Sequence, residues 1–207
     1  AAPTETIVYD AHGNVIRTTD AAGATSVFFY DPLNRETAEI NALGTYTTYA
    51  YDDAGNVTSV RIYETPVSVP ANGGASSSAP AVPSGNKRET TFTYDGLGRM
   101  VASSVVLPSG YKTGVWNGSS WTNATTTSLD TSYQYDHIGN VVNVTDPNGN
   151  VTFSYYDRLG RKTAQLDAEG YLTAWNYNSE NNVLTERRYN TRFTGTPNSS
   201  SPPSLST

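Results

Sequence analysis

Cysteine is absent from the 207 residues, which excludes disulfide bonds and zinc sites built from thiolates. Basic residues are also few, because 13 Lys and Arg stand against 19 Asp and Glu, a net charge of −6 at pH 7. Nucleic acid binds to basic surfaces, so this charge argues against a nucleic-acid partner. The sequence shows no apolar run long enough to span a membrane and no signal-peptide pattern.

Large apolar side chains are scarce as well, with five Phe and one Met beside 15 Tyr. Such a chain cannot fill a thick globular core, but it can fill a thin sheet with semi-polar faces. Low apolar content indicates disorder only when the charge is high, and here charged residues make up 15% of the chain. The composition therefore favours an ordered β protein.

What the chain has in quantity is a repeated dipeptide, Tyr-Asp. Four of the six intervals between successive copies are 21 residues, and the other two are 43 and 41. A fixed period of this length indicates a repeat architecture. The motif residues are Tyr9, Asp10, Gly13, Tyr30, Asp31, Tyr51, Asp52, Gly55, Tyr94, Asp95, Gly98, Tyr135, Asp136, Gly139, Tyr156, Asp157, Gly160 and the degenerate copy Tyr177.

Each copy begins Tyr-Asp-x-x-Gly/Asn-Asn/Arg, and a second turn signal follows about ten residues later. Runs rich in Val, Thr and Tyr lie between the turns, and these residues favour strands. One period therefore predicts one β-hairpin, with Tyr packed along the sheet and Asp capping the turn. The predicted fold is all-β: tandem hairpins that form a curved, spiralling sheet or a hollow β-solenoid-like shell.

Two insertions interrupt the period. Residues 64–88 are rich in Pro, Ser and Gly and predict a flexible, partly extended loop. Residues 107–130 contain two tryptophans and predict a small hairpin or flap. The predicted organisation is repeats at 1–63, a loop at 64–88, half a repeat at 89–106, the tryptophan loop at 107–130, repeats at 131–190 and a Pro/Ser-rich linker at 191–207.

The tryptophan loop holds the best candidate ligand-binding residues, Tyr111, Trp116 and Trp121. Aromatic side chains in a polar loop can stack on sugar rings or on a partner chain. Alternatively, the same rings fold back over the sheet and have only a packing role. The residues alone leave both alternatives open.

The segment 57–65 resembles the segment 183–191, which lies 126 positions, or six periods, further on. A Pro/Ser-rich stretch follows each of them. Joining Thr207 to Ala1 of another copy would also restore a near-regular spacing of the Tyr-Asp motif. We therefore expect either one module of a longer tandem chain or a piece that ends in a convenient loop.

No catalytic, cofactor-binding or metal-binding set emerges from the residues. His12 and His137 lie in Tyr-Asp turns at different offsets and are interpreted as solvated. The segment 146–150 superficially resembles a calcium loop but lacks the distal acid that completes one. The sequence therefore predicts neither an enzyme nor a cofactor.

Six Tyr-Asp-x-x-Gly/Asn-Asn/Arg copies in register resemble the YD repeat of the RHS family, which includes bacterial RHS toxins, toxin-complex shell proteins and teneurins. The resemblance covers residues 5–63, 89–106 and 131–190. It implies hairpins laid side by side in a spiralling sheet that forms a hollow shell. Seven hairpins are too few to close such a shell, so the resemblance implies at most a segment of its wall.

The resulting functional hypothesis is a non-catalytic structural module of a long secreted or cell-surface protein, fibre or shell wall, bacterial in origin. Its expected partners are further copies of itself or flanking YD repeats, joined through sheet edges. One alternative is an adhesin whose 107–130 loop binds glycans or cells. Another is a fragment of a toxin-encapsulating RHS shell.

Overall fold

A computed structural model describes residues 4–70, 79–107, 112–116, 118–125 and 127–204. Within these ranges the chain forms sixteen β-strands and no helix, which confirms the all-β prediction. No helix of the described chain is therefore long and apolar enough to cross a membrane.

The strands are short, as the spacing of the turn signals predicts. They are β1 (Thr6–Tyr9), β2 (Val15–Thr19), β3 (Thr25–Tyr30), β4 (Glu36–Ile40), β5 (Tyr46–Tyr51), β6 (Val57–Tyr63), β7 (Lys87–Tyr94), β8 (Met100–Val106), β9 (Lys112–Trp116), β10 (Trp121–Thr125), β11 (Ser128–Tyr135), β12 (Val141–Thr145), β13 (Val151–Tyr156), β14 (Lys162–Leu166), β15 (Leu172–Tyr177) and β16 (Val183–Arg188).

Fourteen of these strands form one sheet in chain order, from β1 to β8 and then from β11 to β16. Strands β9 and β10 form a separate two-stranded hairpin. By its internal contacts the chain divides into two compact units. Unit 1 comprises residues 1–98 and 104–129, and unit 2 comprises residues 99–103 and 130–207, so the division falls within β8 and β11 and not at the insertions.

Every turn of the repeat is closed by one Asp or Asn side chain. In the turn after β3, the Asp31 amide donates to the Arg35 carbonyl at 2.9 Å, and the Asn34 amide donates to the Asp31 carbonyl at 3.0 Å. The Asp31 Oδ1 also accepts the amides of Leu33 and Arg35 at 2.9 and 3.0 Å. Such side-chain acceptors are why Asp and Asn favour turns.

The two turns of each period share this geometry, although the Tyr-Asp motif marks only one of them. After β14, Asp167 Oδ1 accepts the amides of Glu169 and Tyr171 at 3.1 and 2.7 Å. After β4, Asn41 Oδ1 accepts the amides of Leu43 and Thr45 in the same way. The structural period is therefore half of the sequence period.

The core of unit 1 is a single apolar patch on β3 to β6. Its buried members are Val27, Phe29, Ala38, Ile40, Tyr46 and Tyr63. Ile40 and Tyr46 are 0% and 1% exposed, and the rings of Tyr46 and Tyr63 pack with their centroids 5.6 Å apart. The alternate residues of each strand supply this patch, as expected for a half-buried sheet.

Unit 2 has a second apolar patch that repeats the first at an offset of 126 positions. Phe153, Tyr155, Ala164, Leu166, Leu172 and Tyr189 correspond one by one to the six buried residues of unit 1. The sequence similarity between segments 57–65 and 183–191 thus extends to the whole patch.

The first insertion does not hang free as a loop in its described part. Residues 64–70 and 79–86, here called the first strap, cross back over the apolar patch of unit 1, where Val67, Val69 and Ala79 pack against it. The Val67 amide donates to the Gly44 carbonyl at 2.9 Å, and the Tyr46 hydroxyl donates to the Pro80 carbonyl at 2.9 Å.

The segment predicted as a C-terminal linker plays the same part in unit 2. Residues 191–204, here called the second strap, place Phe193 against the patch of that unit. The Phe193 amide donates to the Gly170 carbonyl at 2.8 Å, which repeats the bond between Val67 and Gly44. The Tyr155 hydroxyl also donates to the Asn198 carbonyl at 2.9 Å. Both straps cover apolar area that a one-layer sheet would leave exposed to water.

The close approach of the second strap makes Gly170 sensitive to substitution. A Cβ there would lie 2.7 Å from the Phe193 carbonyl oxygen, at a φ of +92°. Gly149 has a similar φ of +81° but nothing within 4 Å of such a Cβ. We expect Gly170→Ala to lower the free energy of unfolding by about 1–3 kcal/mol more than Gly149→Ala in chemical denaturation, because only Gly170 meets the strap. Equal losses would show that the strap does not press on this turn.

Candidate functional site

The tyrosines of the Tyr-Asp motif occupy one structural position in every repeat. In the six described hairpins that contain them, the strand register shifts at that tyrosine, so each one lies at a bulge. A bulge re-aims the side chain that follows it. We call the set Tyr9, Tyr30, Tyr51, Tyr94, Tyr135, Tyr156 and Tyr177 the tyrosine ladder.

Six hydroxyls of the tyrosine ladder donate to a backbone carbonyl of the preceding hairpin. Each acceptor is the sixth residue after the preceding ladder tyrosine. The bonds are Tyr30 to Val15 (2.9 Å), Tyr51 to Glu36 (2.6 Å), Tyr94 to Val57 (2.9 Å), Tyr135 to Met100 (2.6 Å), Tyr156 to Val141 (3.0 Å) and Tyr177 to Lys162 (2.7 Å). The ladder thus ties consecutive hairpins together outside the strand pairing.

Tyr9 is the exception within the described chain, because no hairpin precedes it there. Its side chain is 56% exposed, and its hydroxyl has no acceptor among the described residues. Tyr9 therefore supplies an internal control for the bonds made by the rest of the ladder.

Arginines bind the ladder in the opposite direction along the chain. The guanidinium of Arg35 lies 4.6 Å from the ring centre of Tyr51, and its Nη1 donates to the Asp52 carbonyl at 3.2 Å. Arg161 makes the same pair of contacts with Tyr177 and Asn178, at 4.8 and 3.2 Å. A cation over an aromatic face adds electrostatic attraction to the packing.

These arginines alternate with asparagines at the same position of the motif. In chain order the residues are Asn14, Arg35, Asn56, Arg99, Asn140, Arg161 and Asn182. The alternation is present in the sequence, but it does not show when the last motif position is written simply as Asn/Arg. Residues of both types bond to the Asp of their own turn, as Asn56 does to Asp52 at 2.9 Å and Arg35 does to Asp31 at 2.7 Å. Arg35 and Arg161 also place a guanidinium against the ladder tyrosine of the next hairpin.

Six turn aspartates have lowered pKa values, because hydrogen bonds to their side chains favour the carboxylate. For Asp157 the Arg161 amide is the main cause, and the Arg161 side chain adds an ion pair at 2.7 Å. For Asp52 the main cause is the side-chain amide of Asn56. Glu36 behaves in the opposite sense, since burial raises its pKa. The hydrogen bonds to the turn carboxylates therefore stabilise the turns while those carboxylates are ionised.

Acid should weaken the fold through these turns. The pKa is lowered from 3.8 at Asp10, Asp31, Asp52, Asp136, Asp146 and Asp157. A lowered pKa adds stability above the unfolded value, and that stability is lost as the pH falls through the folded value. We expect the melting temperature to be insensitive to these groups above about pH 5 and to fall below about pH 4.

The matched variant for this acid effect is Asp157→Asn. An Asn can still accept the turn amides, as Asn41 and Asn178 do naturally, but it no longer titrates. Its melting curve should depend less steeply on pH below about 4 than that of the unchanged protein. An unchanged dependence would mean that this turn does not contribute.

The ladder bonds should be measurable one at a time. We expect Tyr51→Phe to lower the free energy of unfolding by about 1 kcal/mol, because the Glu36 carbonyl loses its donor. Tyr9→Phe removes a hydroxyl that has no acceptor in the described chain and should change it by less than about 0.5 kcal/mol. Chemical denaturation of both variants distinguishes ladder bonding from a general effect of losing a tyrosine hydroxyl.

The candidate ligand-binding residues Tyr111, Trp116 and Trp121 belong to the tryptophan loop, which the structure describes only in part. Tyr111 lies outside the described residues, and Trp116 and Trp121 are opposite each other in the register of the β9–β10 hairpin. His12 is exposed in its turn, as the solvated reading predicts. Ligand binding by the three aromatic residues stays a prediction.

Metal-binding clusters and the grooves of the described chain were the remaining places for a site. It contains no group of three or more His, Cys, Asp or Glu residues placed to hold a metal ion. A groove of about 510 Å³ within unit 2 is lined by Asp136, Asp157 and Ser199 among others. Both of these carboxylates already bond to their own turns, so the groove offers no unengaged acid pair.

Residues 9–45, 30–63 and 135–171 match the model of the RHS repeat. No curated protein matches the chain. The matched stretches begin at tyrosines of the ladder and cover three pairs of consecutive Tyr-Asp motifs.

Several solved structures match the chain at low sequence identity and low TM-score. They include the crystal structure of TcdB2-TccC3-Cdc42 (14% identity, TM-score 0.33, 86% of this chain) and that of TcdB2-TccC3 (16%, 0.32, 86%). A third is a Photorhabdus luminescens Tc holotoxin pore (16%, 0.35, 89%). This chain spans 11% or 12% of the length of each of those chains.

Proposed function

We propose that this chain, which is built of RHS repeats, is a non-catalytic wall segment of a long secreted or cell-surface bacterial protein. Its work is mechanical, because it holds a continuous sheet together and offers its edges to flanking YD repeats. The wall can belong to a fibre or to a shell that encloses cargo. No cofactor takes part.

The observation that carries this proposal is the tyrosine ladder. Six successive hydroxyls bond to the carbonyl one hairpin back, and the arginines bond one hairpin forward. These tyrosines and arginines join neighbouring repeats, and contacts between neighbouring repeats are the main source of stability in repeat arrays. The match of three stretches to the RHS repeat model supports the same reading.

Electron microscopy of the native, full-length protein tests the proposal. A wall segment predicts filaments with a regular axial repeat, or hollow particles, that contain this chain. Small monomeric particles with no continuous sheet would contradict it and would favour the adhesin hypothesis.

A pair of arginine substitutions links such particles to the ladder. Arg161 contacts the Tyr177 ring and the Asn178 carbonyl, whereas Arg158 is exposed in the same turn. We expect particles with Arg161→Gln to disassemble at a lower temperature than the unchanged particles, and those with Arg158→Gln to match them. Equal disassembly temperatures for the two variants would show that the contacts of Arg161 with the ladder do not stabilise the particles.

A further inference from the structure

Strand β16 forms one edge of the described sheet, and its first two residues are apolar. All six of its residues are exposed, including Val183 at 54% and Leu184 at 63%. Only β15 pairs with it, and the second strap that follows turns back over the face of the sheet, not along the edge. A free strand edge is a template for another strand.

The same chain shows what covers the equivalent strand. Strand β6 corresponds to β16 at the 126-residue offset, and β7 pairs with β6 in antiparallel register. In that pair Arg61 lies opposite Glu89, and their side chains form an ion pair at 2.7 Å. The Tyr94 hydroxyl donates to the Val57 carbonyl at 2.9 Å.

The groups of β6 that contact β7 recur in β16. Val183 corresponds to Val57, and Arg187 corresponds to Arg61. The Arg187 guanidinium lies 5.3 Å from the Tyr189 ring centre and has no carboxylate partner among the described residues. Its neighbour Arg188 already has one within its own unit, Asp167 at 3.7 Å. The Arg187 guanidinium and the Val183 carbonyl, which corresponds to the ladder acceptor of Val57, can therefore bind an incoming strand.

We propose that the β16 edge binds one kind of partner, an antiparallel strand with an acidic residue five positions before a tyrosine. The acid would pair with Arg187, as Glu89 pairs with Arg61, and the tyrosine hydroxyl would bond to the Val183 carbonyl. This inference rests on the proposed function, because it names the partner of the edge that a wall segment offers.

The same geometry argues against β1 of a second copy as that partner. In the described strand pairs between consecutive ladder hairpins, extending the register by two residues sets the residue before the bonded tyrosine opposite the acceptor residue. If the Tyr9 hydroxyl bonded to the Val183 carbonyl, the same register would place Glu5 opposite Glu186. Like charges directly opposite each other destabilise a strand pair. The edge thus selects a β7-like strand over a β1-like strand.

Two peptides from this chain test the selectivity with matched composition. The acetylated peptide of residues 89–96 places Glu89 opposite Arg187, and the acetylated peptide of residues 4–11 places Glu5 opposite Glu186. Each has eight residues, its tyrosine at the sixth position and two carboxylate side chains. Hydrogen exchange of the β16 amides in the 207-residue protein, titrated with each peptide, gives the two affinities.

We expect the 89–96 peptide to protect β16 at about one-fifth of the concentration that the 4–11 peptide needs. Arg187→Glu in the protein should weaken the 89–96 peptide by about fivefold, and a peptide carrying Glu89→Lys should recover that loss. Recovery by the charge-reversed peptide would show that the variant still folds and that the pair itself is responsible.

Equal protection by both peptides would overturn the selectivity while leaving edge pairing, and with it the proposed function, intact. No response to Arg187→Glu would overturn the assigned ion pair in the same way. Failure of both peptides to protect β16 would overturn this inference, and electron microscopy of the native particles would then judge the wall function separately.

Discussion

Leu166→Ala should lower the free energy of unfolding of unit 2 by about 2–5 kcal/mol. Leu166 is 2% exposed and lies in the middle of the apolar patch of that unit. The loss combines the transfer free energy of the removed methyl groups with the cavity that they leave. In a thin sheet with few buried residues, neighbouring side chains cannot easily fill that space. Chemical denaturation followed by tyrosine fluorescence measures the effect.

Leu159→Ala is the matched control for this substitution. Leu159 is 74% exposed in the turn after β13, so its removal leaves no cavity. We expect a change of less than about 0.5 kcal/mol. Similar losses in the two variants would mean that the patch is not the stabilising core of unit 2.

Most of the repeat geometry follows from local sequence signals. Asp31 and Asp157 predict turns because a carboxylate can accept amides two and four residues ahead, and the structure shows those bonds. The alternation of Val, Thr and Tyr between turns predicts strands in the same way. Turn and strand are local properties, so one period suffices to predict both.

The straps could not be predicted from such local signals. Residues 64–88 and 191–207 have the composition of loops and linkers, which does not reveal the few apolar residues that pack. Val67 and Phe193 become part of the core because a long-range bond to Gly44 or Gly170 holds each backbone across the sheet. The sequence does contain one indication of a shared role. The segments 57–65 and 183–191 resemble each other at an offset of 126 positions, and each runs into one of the two straps.

The ladder lies between these two cases. Its period is plain in the sequence, and a packing role for tyrosine follows from the pattern. The hydroxyl bond to the preceding hairpin does not, because it depends on the bulge at each tyrosine. The alternation of Asn14 with Arg35 is present in the sequence. The contact between the Arg35 guanidinium and the Tyr51 ring of the next hairpin becomes apparent only in the structure.

Removing the second strap should have an effect as large as that of a core substitution. Shortening the chain after Asn190 deletes Phe193 and Asn198, which pack on the patch of unit 2 or accept the Tyr155 hydroxyl. Lost burial of a phenylalanine and two lost hydrogen bonds together predict a loss of about 3 kcal/mol in the free energy of unfolding. Hydrogen exchange should rise at β13 to β15, the strands beneath the strap.

A chain shortened after Ser201 is the control, because it keeps Phe193, Asn198 and the turn that Ser200 and Ser201 make with Asn198. Its hydrogen exchange should match that of the unchanged protein. In both shortened chains, β3 to β6 should keep their protection, since the first strap still covers the patch of unit 1. Uniform loosening of both units after removal of residues 191–207 would contradict a local role. Loosening confined to unit 2 would show that each patch depends on its own strap, so that an apparent linker is part of the fold.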